Sequence, residues 1–255
     1  MTSPDRARQF AALHVKGQPL ILFNAWDCGS AKAIAKAGAP AIATTSWAVA
    51  AAHGYPDGEA IPAALAETIL TRIVGAVDLP VSVDVEGGYS EAPDAVAAHV
   101  ARLIDAGVVG INFEDRVVQG KGLYGIDAQC RRIAAIRAAA EARGVALFIN
   151  ARTDLFFRSG IALPDALAQA RARATAYAAA GASGLFVPGL VELEPIGDLC
   201  ASVELPLNVM TEPSLPPVSA LAQAGVARIS HGPSAYFHAM TAVESAARGV
   251  YAAVA

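Results

Sequence analysis

Runs of four to seven mostly apolar residues recur along this chain, and alanine-rich stretches with helical spacing of their apolar positions lie between them. Short apolar runs bounded by turn residues read as strands buried on both faces. They place strands at Leu20–Asn24, Ala41–Thr44, Val81–Asp84, Val109–Phe113, Leu147–Asn150, Gly184–Val187, Leu207–Val209 and Val226–Ser230, eight in all. The stretches between them predict helices at about Cys28–Ala37, Pro62–Val77, Pro93–Ala106, Asp127–Arg143, Pro164–Ala180, Val191–Ala201, Val218–Ala224 and Ser234–Ala252. An amphipathic helix from about Ser3 to Val15 precedes the first strand and is expected to plug or flank one end of the fold.

The punctuation agrees with this alternation. Pro62, Pro93 and Pro164 fall where a first helical turn tolerates proline, and Gly38, Gly107, Gly144, Gly181 and Gly225 fall where a helix stops before the next strand. Eight βα units with right-handed crossovers close a barrel, so the expected fold is α/β, a (β/α)8 TIM barrel with an extra N-terminal helix, spanning 1–255 as one domain. An open doubly wound sheet is the alternative, but no glycine-rich phosphate fingerprint follows the first strand.

Composition narrows the partners. The 255 residues are 55% hydrophobic and only 16% charged, which leaves a surface short of charge for a monomer and predicts a homo-oligomer, a dimer or tetramer. A net charge of −4 with no basic cluster argues against nucleic acid or an anionic membrane as partner. The apolar runs are too short to span a bilayer, and no apolar segment of signal-peptide type follows the N-terminus. Cys28, Cys130 and Cys200 are widely spaced and odd in number, which suits a reducing cytoplasm. None of the four lysines (Lys16, Lys32, Lys36, Lys121) ends a strand run, which disfavours Schiff-base chemistry.

Three strand runs end on acids: Asp84 and Glu86, Glu114 and Asp115, and Asp154 beyond Arg152. Asp57 lies in an earlier loop. Carboxyl ends of barrel strands are where catalytic groups concentrate, and carboxylates crowded there repel one another unless a cation joins them. Asp84 and Glu86, two apart, share a face, and Glu114 ends the neighbouring strand. Oxygen-only ligands with room for water describe Mg2+, or Mn2+, better than zinc. The competing reading is that each acid caps a helix or pairs with Arg116 or Arg152.

Arg152 could grip a carboxylate or phosphonate, or pair with Asp154 or Glu114. Ser46 ends the second strand and offers a hydroxyl and a backbone N–H to an anion, but it lacks the G-x-S-x-G elbow of a hydrolase nucleophile. His53 and His231 read as structural. The glycine-rich segment from Val117 to Gly125, with Lys121 at its centre, suits either a lid or a plain solvated loop.

The segments FNAWD, ATTSWAVAAAHGYPDGE, PVSVDVEGGYS, GINFEDR, LFINARTD, GLFVPGL and PLNVM follow one another in an order that resembles the isocitrate lyase/phosphoenolpyruvate mutase superfamily, in particular its small phosphoenolpyruvate mutase-like bacterial branch. The resemblance runs from about Leu20 to Pro233. It implies a barrel that binds Mg2+ and a small 2-oxo or 2-hydroxy carboxylate and makes or breaks a C–C or P–C bond through an enolpyruvate-like intermediate. By motif, it implies Asp84 as direct metal ligand, with Asp57, Glu86 and Glu114 holding metal-bound waters. Ser46, Trp47 and Ala48 would hold the substrate carboxylate, with Asp57 and Asn208 also at the substrate and Arg152 at its opposite end. Glu114, Arg152 and the lid residue Lys121 would serve catalysis.

Three departures shape the expectation. Where lyases of the superfamily carry a K-K/R-C-G-H loop, this chain reads Gln119-Gly120-Lys121-Gly122-Leu123. After the sixth strand it has Pro188-Gly189 in place of a Glu or His, and Trp47 follows Ser46 where a small residue is usual. A Mg2+-dependent lyase or decarboxylase acting on a small acid such as oxaloacetate is the leading expectation. Phosphonopyruvate hydrolysis or phosphoenolpyruvate mutase-type chemistry, and a non-catalytic metabolite-binding barrel, are the alternatives.

Overall fold

The structure, a computed structural model, describes residues 2–157 and 160–253. Eight parallel strands, β1 (Leu20–Leu22), β2 (Ile42–Ala43), β3 (Val81–Asp84), β4 (Gly110–Glu114), β5 (Phe148–Arg152), β6 (Gly184–Phe186), β7 (Leu207–Met210) and β8 (Arg228–Ser230), pair in the order β1-β8-β7-β6-β5-β4-β3-β2. A single parallel bridge between Ala25 and Thr44 joins the two outer strands, so the sheet curls into a nearly closed (β/α)8 barrel, as expected. The apolar core runs around the ring of strands except at β1, where Ile21 is left exposed.

The helices are α1 (Ser3–Ala12), α2 (Cys28–Lys36), α3 (Ser46–Ala52), α4 (Ala63–Gly75), α5 (Pro93–Asp105), α6 (Ile126–Glu141), α7 (Leu163–Ala179), α8 (Leu193–Ser202), α9 (Val218–Gln223) and α10 (Ser234–Ala252). Helix α1 opens on a capping box, in which Thr2 and Asp5 satisfy each other's backbone N–H groups. It presents Phe10, fully buried, to the amino ends of β4 and β5. The ring meets Phe148 edge-on at 5.6 Å, and His14 stacks on the same ring at 3.9 Å. A side chain on Gly110 would put its Cβ 2.6 Å from the Phe10 ring, so the glycine makes room for the plug.

Two differences from the sequence reading matter for the site. Helix α3 begins at Ser46, where a loop was expected, because the alanine-rich segment Trp47–Ala52 favours helix and buries Ala48, Val49 and Ala50. Strands β4 and β5 also run further than their apolar residues, so Glu114 and Arg152 belong to the ladder itself, as register partners. Helix α10 buries only Ala235, and it leaves Phe237, Met240, Val243, Val250 and Tyr251 exposed. No described helix is long and apolar enough to cross a membrane.

Candidate active site

The carboxyl ends of the strands surround a cavity of about 350 Å3. Its polar half comes from β2 to β5: Thr45, Ser46, Asp84, Asn112 and Arg152, with Asp57 and Arg116 from the following loops. Its apolar half comes from Trp47, Phe157, Phe186, Met210 and Pro233, mostly beyond β5. Asn24 clasps the rim. Its amide donates to the Thr44 carbonyl at 2.8 Å, and its oxygen accepts the backbone N–H groups of His231 and Gly232, each at 3.0 Å.

Asp84 is the acid best placed on the cavity. One of its oxygens accepts both Ser46 donors, the hydroxyl at 2.7 Å and the backbone N–H at 3.2 Å, and the Glu86 backbone N–H lies 3.4 Å from the other. Asp57 faces it across the loop. Partial burial and the charge of Asp84 push the Asp57 carboxyl up. Glu86 is buried, with a left-handed backbone (φ 50°), and one of its oxygens accepts the Glu59 N–H at 2.9 Å. Burial, reinforced by Asp84, Asp57 and Glu114, raises its carboxyl to about 8.

Glu114 and Arg152 form the other centre. Arg152 donates through Nη1 to Glu114 at 3.0 Å and through Nε and Nη2 to Asp154 at 2.6 and 2.9 Å. Arg116 Nε donates to the second Glu114 oxygen at 3.0 Å. Burial opposes the charge of Arg152, yet Glu114 and Asp154 hold it firmly protonated. Burial likewise pushes Glu114 up, against Arg152 and Arg116. With a guanidinium nitrogen on each oxygen, the ionised carboxylate is the form this geometry accommodates. Behind the pair, fully buried Asp115 accepts the Asp154 backbone N–H at 3.1 Å, Arg173 at 3.0 Å and the Tyr177 hydroxyl at 2.9 Å, which anchors the turn that carries Asp154.

The sequence-derived candidates therefore divide. Asp57, Asp84, Ser46, Trp47 and Arg152 line the cavity, whereas Glu86 and Glu114 lie buried beside it. Ala48 is fully buried in α3, and Asn208 is buried with its amide donating to Ser230 at 3.1 Å. Lys121 is exposed at the tip of a tight turn, in which Val117 and Gly120 donate to Gly122 and Val117 carbonyls. Gln119 ties that turn to the Gly58 carbonyl at 3.3 Å. Asn112, Arg116, Ser230 and the rings of Phe157 and Phe186 were not anticipated at the cavity. The signal for Asn112 and Ser230 was available: each is a polar residue at an inward position of an otherwise apolar run.

Asp57, Asp84 and Glu86 form no ion pair with a cation among the described residues. Nor do three or more His, Cys, Asp or Glu groups there close a ready-made metal cage. Hard oxygens outside any ion pair, on an open, roomy cavity, suit a hydrated ion held directly by one or two carboxylates, which is how Mg2+ binds.

A sequence profile for phosphoenolpyruvate phosphomutase matches residues 10–251. The chain belongs to this family. A crystal structure from Burkholderia cenocepacia, of a candidate phosphonomutase, superposes with a TM-score of 0.94 at 48% identity, covering 97% of this chain and 99% of the other. A candidate 2-methylisocitrate lyase of Corynebacterium glutamicum is 35% identical over 72% of this chain and 59% of its own length. An oxaloacetate decarboxylase of Pseudomonas aeruginosa is 32% identical over 72% of this chain and 64% of its own length. Like these lyases and mutases, this member of the phosphoenolpyruvate phosphomutase family is an enzyme of the isocitrate lyase/phosphoenolpyruvate mutase superfamily.

Proposed function

We propose that the protein is a Mg2+-dependent lyase or decarboxylase that cleaves a C–C bond of a small 2-oxo or 2-hydroxy mono- or dicarboxylate, with Mn2+ an acceptable substitute. The observation that carries this reading is the pairing of Asp84 and Asp57, acids in no ion pair among the described residues, with a fixed arginine cluster across one small cavity. Asp84 would hold the ion directly, with Asp57, Glu86 and Glu114 holding its waters. When bound, Mg2+ supplies a Lewis acid for an enolate oxygen.

The side chains account for the rest. Ser46, whose hydroxyl and N–H both rest on Asp84 here, would turn from it to present the substrate carboxylate together with Trp47 and Ala48 at the start of α3. Arg152, clamped by Glu114 and Asp154, keeps its orientation and would face the other anionic end, and Asn208 supports the floor through Ser230. The indole of Trp47 and the rings of Phe157 and Phe186 exclude water and limit the substrate to a few carbons. Lys121 would reach the site only on closure of the turn that carries it. A screen of small oxo acids, oxaloacetate first, with Mg2+ and with EDTA tests the reading; turnover indifferent to chelation removes the metal.

The similarity to a candidate phosphonomutase favours a second reading, P–C bond chemistry on phosphonopyruvate. Phosphorus NMR separates the two, because only this one predicts loss of the P–C resonance. We also read the protein as a cytoplasmic homo-oligomer, supported by three free cysteines and by the apolar side chains that α10 leaves exposed.

A further inference from the structure

Arg228 stands on β8 with 1% of its surface exposed, and it forms no ion pair among the described residues. Its Nε donates to the Ser230 hydroxyl at 3.1 Å and its Nη2 to Asn112 Oδ1 at 3.2 Å, while Nη1 has no hydrogen-bond partner among the described residues. Its hydrogen-bond partners are neutral and only the charge of Asp84 works against the cost of burial, so a hydrophobic residue would fill the space at lower cost. The arginine therefore needs a reason beyond packing.

Asn112 supplies one. It is the register partner of Asp84 on one side and of Asn150 on the other, so its side chain projects inward beside the carboxylate. Arginine only donates, so the amide atom that meets Arg228 must be the oxygen. Asn150 Nδ2 donates to that same oxygen at 2.9 Å, which occupies both of its lone pairs. The Asn112 amide cannot turn over without facing the Arg228 guanidinium, which has no acceptor to offer, with its own N–H groups. The side-chain hydrogen bonds of Asn112 among the described residues both fall on that oxygen, which leaves the nitrogen for the other side, and Asn112 lines the cavity.

We propose that Asn112 is a substrate-contacting residue whose amide N–H donates to the oxygen on carbon 2 of the bound acid, and that Arg228 is the positioning residue that locks the amide in that orientation. The assignment rests on the carboxylate and metal reading above. When the adjacent bond breaks, negative charge grows on that oxygen, and a donor fixed in advance stabilises it without reorganisation. Ser230 is held in the same manner, between Arg228 and Asn208, so β4, β7 and β8 together form a rigid polar floor.

Asn112→Asp tests this with little disturbance. The carboxylate keeps an oxygen for Arg228 and Asn150, but the atom that faces the cavity changes from donor to charged acceptor. Oxalate, which mimics the planar oxygenated edge of enolpyruvate, is titrated by calorimetry at saturating Mg2+, alongside the melting temperature. The expected result is a melting temperature equal to or above wild type and an affinity for oxalate lower by at least about tenfold. Arg228→Met is expected to weaken oxalate as well, with partial recovery in Arg228→Lys. An Asn112→Asp protein that binds oxalate as tightly as wild type overturns the assignment. Wild-type protein that ignores oxalate in Mg2+ overturns the underlying reading and this one with it.

Discussion

Arg152 and Glu114 face each other across the β4–β5 ladder at 3.0 Å, and each is held on its far side by a further group, Asp154 for the arginine and Arg116 for the glutamate. Four charges of alternating sign thus form a chain at the strand ends. The chain fixes the arginine's direction at the cavity, and it explains why two ionised groups tolerate burial.

Removing one member should expose that dependence. Arg152→Met leaves Glu114 and Asp154, 2% and 3% exposed at the side chain, without their main countercharge. Breaking a buried pair from one side costs on the order of 3–5 kcal/mol. Arg152→Lys retains charge but cannot donate from two nitrogens to Asp154 while reaching Glu114, so it should fall between. Denaturant midpoints of the three proteins check the order, and equal midpoints would show that the chain carries no stability.

The metal reading makes a separate demand on Asp84. A ligand at a hundred times its dissociation constant stabilises the native state by about 2.7 kcal/mol. Wild-type protein should therefore melt at a higher temperature in millimolar Mg2+ than in EDTA, and Asp84→Asn should abolish the difference. Thermal unfolding of both proteins under both conditions is the measurement. A rise in the variant equal to that in wild type would place the ion elsewhere.

The barrel was legible because its punctuation is local: proline opens helices, glycine closes them, and each strand is a short apolar run. The acids at the strand ends were legible for the same reason, since a charge that terminates an apolar run stands out. What escaped depends on three dimensions. Ala48 and Asn208 share motifs with site residues, and no local pattern shows that the Ala48 methyl packs inside α3 or that the Asn208 amide is bonded to Ser230. Phe186 and Met210 look like core residues in sequence, and only the ring of strands shows that they face the cavity. Arg228 sits inside an apolar run, and its link to Asn112 spans 116 positions that no local pattern connects.

Acid should destabilise the protein through His14. Burial, together with the nearby charge of Arg228, lowers this imidazole to about 3, against the hydrogen bond with the Phe10 carbonyl. The native state keeps His14 neutral while the unfolded chain protonates it near 6.5, so its contribution is complete above pH 6.5 and is lost as pH falls toward 3. The slope is about 1.4 kcal/mol per pH unit within that window. His14→Phe retains the stacking on Phe148 and removes the titration. Urea unfolding at pH 7 and pH 5 should show wild type losing roughly 2 kcal/mol more than the variant between the two, and an equal loss would rule the imidazole out as the source.

The plug formed by α1 couples two positions far apart in sequence. Phe10→Ala should cost about 3–5 kcal/mol, because the ring is fully buried and leaves a cavity against Phe148. Gly110→Ala should also destabilise, since its new methyl group would stand 2.6 Å from the Phe10 ring. Combined, the two changes relieve each other: the methyl occupies space that the ring has vacated. Relief stays partial, because Ser82 Oγ remains 3.0 Å from the added carbon. The double variant should therefore be more stable than the sum of the single changes predicts, by about 1 kcal/mol or more. Chemical denaturation of the four proteins closes the cycle. Strict additivity would mean that Phe10 and Gly110 do not share the end of the barrel, and that the helix merely rests against it.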